Sequence, residues 1–354
     1  MTDNIFDRLA ELLASSGPVN WELATELGAS VAGEPGTVPA GAQDYWLGLV
    51  DTVQRMLAQH TPLDFPSVPT AVLDRRDWTA ATIPEFDYLA EPLAAKLSAG
   101  QTAGPLGPIF SIMVGLQIGS MVGSMSHRAL ASFDAALPPL AGSHHRFIAP
   151  NIEEFVSSHG LEIDQARFWV VAHEVVQTRL LAEPLLSARL RSLIATYVDG
   201  LELNPDAMSL GGSEAGFDPE QIGQMMQDPS FLTGMFSGPH QDEDLAEIQA
   251  FLAVIEGYTG FLLNHLDHNF IPELPRIREA VDRRRAEPSP GETFLQKMLG
   301  LELGRPQAGT SFFEEIERRW GSEAPTTVWE GENGLPTSAE LADPVAWAAR
   351  TLLS

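Results

Sequence analysis

The sequence predicts a mainly helical fold, α+β only through a very small sheet, and three observations predict it. Apolar residues recur at spacings of three and four, as in Ile5, Leu9, Leu12 and Leu13 or Trp46, Leu49, Val53 and Met56. Strand-like runs are scarce, the best being Arg146-Phe147-Ile148-Ala149 ahead of Pro150. With 44% hydrophobic and 19% charged residues, a chain of 354 residues can bury a sizeable core.

In chain order, the periodicity predicts helices at roughly 4–15, 19–30, 39–60, 86–98, 109–135, 151–159, 164–182, 185–203, 242–267, 273–286, 291–300, 310–320 and 338–352. Pro62 to Arg75 is proline-rich without periodicity and reads as a linker, as does Pro205 to Gln241, which mixes Gly, Ser, Pro and Met. Residues 1–141 are expected to form an N-terminal helical region, and 142–354 a second region packed as one unit. Gly107 to Ser126 carries no charge over 20 residues, the length of a membrane span. Its serines, Gln117 and the stripe Gly115, Gly119, Gly123 favour a buried helix that packs backbone to backbone, so no membrane span is expected.

Charge and cysteine content exclude several functions. Lys and Arg number 21 against 48 Asp and Glu, a formal net charge of -27, which disfavours nucleic acid and anionic lipid as partners. The basic run Arg283-Arg284-Arg285 is flanked by Asp282 and Glu287. Without cysteine there is no disulfide, thiolate catalysis or Cys-held metal, so any metal must sit on His, carboxylate or amide groups. The N-terminus lacks a basic segment followed by an apolar run, and a cytoplasmic location is the expectation. P-loop, G-x-G-x-x-G and G-x-S-x-G motifs are absent.

Two constellations remain. His173-Glu174-Val175-Val176-Gln177 is an H-E-x-x-H motif with its last member changed. On a helix, positions 173 and 177 lie about 40° apart, with Glu174 about 60° beyond, so all three are expected on one face. In the intact motif two imidazoles grip zinc while the Glu takes a proton from metal-bound water. An amide oxygen at 177 is a weaker zinc donor than imidazole. From spacing alone, the three side chains read first as a hydrogen-bonded polar cluster. Glu256, in an apolar helix beside Gly257 and Gly260, is the second constellation, readable as a metal ligand or as a carboxylate paired with a buried Arg. Of nine histidines, His265 falls opposite Glu256 on its helix.

These motifs, with Gly17-Pro18-Val19-Asn20-Trp21-Glu22, Gly115-Leu116-Gln117-Ile118-Gly119, Ala149-Pro150-Asn151-Ile152, Val254-Ile255-Glu256-Gly257-Tyr258 and Val328-Trp329, resemble actinobacterial zincin-like proteins described as hydrolases or zinc-dependent metalloproteases. The resemblance spans nearly the whole chain. It implies a zincin-like helical fold in which His173 matches the first zinc ligand, Glu174 the catalytic base and Glu256 the third ligand, with Gln177 where the family has His. Two functions follow from it. One is a zinc-dependent, peptidase-like hydrolase acting on peptide or protein, with Glu174 activating water on a metal held by His173, Glu256 and Gln177. The other is a zincin-shaped protein that no longer catalyses and serves as a binding or scaffolding module.

Overall fold

The computed structural model describes residues 17–99, 107–134, 137–140, 144–203, 236–237, 242–266, 271–299 and 306–353. The helix predicted at 4–15 lies outside them. Helices α1 (Trp21–Ala32) and α2 (Ala42–Leu57) precede β1 (Thr70–Leu73), α3 (Arg75–Thr82), a 3-10 turn at Ile83–Phe86 and α4 (Asp87–Ala99). Next come α5 (Gly107–Met125), β2 (His145–Ile148), α6 (Ala149–His159), α7 (Ile163–Leu181) and α8 (Pro184–Gly200). The strands β3 (Glu202–Leu203) and β4 (Phe236–Ser237) pair antiparallel. The remainder is α9 (Asp242–His265), α10 (Leu274–Arg285), α11 (Pro290–Leu299), α12 (Pro306–Trp320), α13 (Ala324–Thr327), α14 (Ser338–Ala342) and α15 (Pro344–Thr351).

The glycine stripe of α5 does what its spacing predicts. It lies on α1 so closely that a Cβ at Gly119 would stand 2.2 Å from the Ala24 carbonyl oxygen, and one at Gly115 2.5 Å from that of Asn20. Only glycine permits that approach. The Asn20 side chain caps α1 by accepting from the Leu23 N–H at 3.0 Å.

Three predicted boundaries need correction. The first linker contains β1, which pairs in parallel with β2 from Thr70 opposite His145 to Leu73 opposite Ile148. Its Pro-rich flanks hid a four-residue strand, and the helix α3 that follows was not predicted. The helix predicted at 109–135 ends at Met125, because Asn151 donates to the carbonyls of Ser126 at 2.7 Å and Ala129 at 2.6 Å and holds the turn beyond it. The helix predicted at 338–352 breaks at Asp343: Pro344 has no N–H to continue α14, and Asp343 caps α15 through the Val345 and Ala346 N–H groups.

At the centre runs α7, in which every residue from Trp169 to Thr178 is buried. Helices α2, α6, α8, α9 and α10 pack against it. Among the described residues α9 is long and apolar enough to cross a membrane by length and composition, yet 67% of its apolar window is buried inside the fold.

Candidate functional site

Helices α7 and α9 bring His173 and Glu256 together. His173 Nε2 lies 3.2 Å from Glu256 Oε2, and one turn along, Gln177 Nε2 donates to Thr259 Oγ1 at 3.2 Å. The Thr259 hydroxyl spends its proton on the Ile255 carbonyl at 2.9 Å, so it can only accept from Gln177, which fixes the orientation of that amide. The triplet Glu256-Gly257-Tyr258 divides its work. Glu256 faces the cleft, Gly257 lets α12 approach with Gly309 against it, and Tyr258 anchors an aromatic cluster with Phe313 and Trp329.

Glu174 departs from the shared face expected for the motif. Its Oε2 accepts from the Phe133 N–H at 3.3 Å and its Oε1 from the Arg146 N–H at 3.2 Å, and no part of the residue reaches solvent. A 100° step from His173 is enough to point it at β2 and the turn before it, which pack on α7 beside its cleft face. Burial pushes its carboxyl up to about 7, against the Ser132 hydroxyl and the two N–H groups that favour the ionised form.

Arg285 is the residue the sequence reading missed. Its Nη2 lies 3.3 Å from Glu256 Oε1, so the carboxylate is held between a guanidinium and an imidazole. Burial opposes ionisation of Glu256, but Arg285 and then His173 outweigh it and bring its carboxyl down to about 2. The arginine run fans out around α10. Arg283 meets Glu279 on the surface, Arg284 pairs with Asp134 inside, and Arg285 turns into the cleft. Successive helical residues point about 100° apart, which was the available signal that one of the three faces inward.

Around this pair opens a cleft of about 340 Å3 between α7, α9, α10 and α12, with Trp169, His173, Glu256, Asn264, Arg278, Arg285, Thr310 and Ser311 on its walls. Trp169 stacks on His173 with ring centres 5.3 Å apart. Arg278 donates to the Gly260 carbonyl at 3.4 Å and to Asn264. Glu174 is not on the cleft wall. His265, expected on the opposite side of α9, pairs with Glu317 at 3.1 Å.

A profile of the zincin-like metallopeptidases matches residues 19–348. The chain belongs to the zincin-like metallopeptidase family. Its fold is shared with a solved structure from Chloroflexus aurantiacus described as "a putative hydrolase with a novel fold", at 21% identity and a TM-score of 0.66, over 95% of this chain and 99% of that one. A search of curated proteins finds no match.

Zincin-like proteins take their name from a zinc site, and the donors here can be tested against one. Two ligands of a tetrahedral zinc with bonds near 2 Å stand about 3.3 Å apart, and His173 Nε2 and Glu256 Oε2 match that spacing. The rest of the set does not fit. Position 177 turns an amide N–H toward Thr259, a guanidinium sits on the other Glu256 oxygen, and among the described residues no three His, Asp or Glu side chains gather around one point.

Proposed function

We propose that this zincin-like protein is a binding module, and that its cleft holds a short peptide-like segment without hydrolysing it through metal-bound water. The observation that carries the reading is the placement of Glu174, whose two oxygens are spent on the Phe133 and Arg146 N–H groups outside the cleft. A general base must lie within hydrogen-bond reach of the water it activates. The cleft walls support a peptide as ligand. Gln307 and Ser311 offer donors and acceptors for amide groups, while Trp169, Leu263 and Val281 offer apolar surface. A volume of about 340 Å3 is at the low end for ligand pockets, which suits a few residues of extended chain.

The spacing of His173 and Glu256 favours a second reading, a metal-dependent hydrolase of the kind the family's name and the Chloroflexus protein's description suggest. One experiment separates them. A pool of short peptides is incubated with the full chain in the presence of zinc, and retained and cleaved species are identified by mass spectrometry. Retention of intact peptides, lost on filling the cleft with Asn264→Leu and Ser311→Leu, supports the binding module. Cleavage that stops with a chelator and with Glu174→Gln supports the hydrolase and overturns the first reading.

A further inference from the structure

We infer that Arg285 is the cation built into this cleft, and that its pairing with Glu256, more than the amide at Gln177, closes the site to zinc. The inference rests on the binding-module reading and goes further, because it assigns the closure to a residue outside the H-E-x-x-Q segment.

An ionised carboxylate with only 24% of its side chain exposed needs a compensating cation. Arg285 supplies it from α10, itself with 24% of its side chain exposed, and Asp282 and Asp134 add to the field that holds the guanidinium there. The second oxygen of Glu256 then faces His173 Nε2 at 3.2 Å. Zinc would need a lone pair on Nε2, which a neutral imidazole supplies by carrying its proton on Nδ1, and a Glu256 carboxylate not already engaged by a cation. Binding it would place a divalent cation beside the guanidinium that already sits on Glu256 Oε1 at 3.3 Å. Restoring an imidazole at 177 leaves that guanidinium in place. Replacing Arg285 by an uncharged side chain removes the competing cation and leaves Glu256 seeking one.

The test is zinc affinity of the full chain, read by competition with a chromophoric chelator at pH 7.5, for the wild type and for Gln177→His, Arg285→Met and the double variant. The expected result is that Q177H alone changes affinity by no more than about threefold, whereas Q177H/R285M binds one equivalent at least about tenfold tighter than Q177H, the lower end of the range over which supporting groups tune metal sites. Equal affinity of Q177H and Q177H/R285M overturns the inference and leaves the binding-module reading standing. One equivalent of zinc on the wild type with peptide turnover overturns that reading first. Should R285M fail to fold, soluble yield and thermal melts of Glu256→Gln and of E256Q/R285M decide, recovery of a folded chain in the double variant supporting the pairing, since no unpaired carboxylate remains. Failure of the double variant to fold overturns it.

Discussion

His173 and Glu174 are neighbours in sequence, yet their side chains, about 100° apart around α7, serve different neighbours. His173 meets Glu256 across the cleft at 3.2 Å, while Glu174 takes the Arg146 N–H of β2 at 3.2 Å. The motif has been divided, one member facing the cleft and one fastening the helix to the small sheet.

Glu174 therefore has a structural part that can be measured. Its buried carboxyl, raised to about 7, keeps its proton in the folded chain where the unfolded chain has already lost it above about 4.5. Wild-type stability attributable to this group falls as pH rises from about 4.5 to 7, by about 3 kcal/mol in all. Glu174→Gln resembles the protonated form, so its stability relative to wild type should climb over that range in urea denaturation. Its peptide retention in the cleft should be unchanged.

His145 works in the other direction. Burial takes it down to about 4 from 6.5, with Nδ1 beside Thr178 Oγ1 at 3.0 Å and Nε2 without a hydrogen-bond partner. The unfolded chain binds the proton first, so the folded state loses about 3 kcal/mol as pH falls from 6.5 to 4. Histidine-to-asparagine exchange at 145 should flatten that part of the stability profile, read by denaturant midpoints at pH 7 and pH 4.5.

Beside it, Arg146 pairs with Glu85 at 2.6 Å, the two side chains 12% and 7% exposed. Removing one partner of such a pair leaves a buried charge alone, and Arg146→Met should destabilise by about 3 kcal/mol at neutral pH. Burial already raises the Glu85 carboxyl despite the pair. Without Arg146 it takes up a proton more readily, so the loss should shrink at pH 5.

The contact of α5 with α1 gives a steric prediction. Gly119→Ala sets a methyl 2.2 Å from the Ala24 carbonyl oxygen and should cost more than about 2 kcal/mol, because backbone must move. Gly48→Ala on the exposed side of α2, with open space around it, should stabilise by about 0.5–1 kcal/mol. Thermal melts of the two variants read the difference.

Helix positions were legible because burial repeats with the helical period, and the meeting of α7 with α9 was legible because His173 and Glu256 are polar residues in apolar helices. What hid from the sequence depends on neighbours far along the chain. The strand β1 is four residues long and exists through pairing with β2, 75 positions later by the Thr70 to His145 register. Arg285 read as part of a basic run, since nothing local says which of three adjacent arginines turns inward. The direction of Glu174 was set by β2 and the turn before it packing on α7, a property of the packing and not of the motif.

If Glu256 answers to Arg285 and not to a metal, the full, tag-free chain purified from zinc-supplemented cells should carry less than about a tenth of an equivalent of zinc by metal analysis. One equivalent, with X-ray absorption showing imidazole and carboxylate ligation that is lost in His173→Ala and Glu256→Gln, shows instead that Glu256 serves a metal.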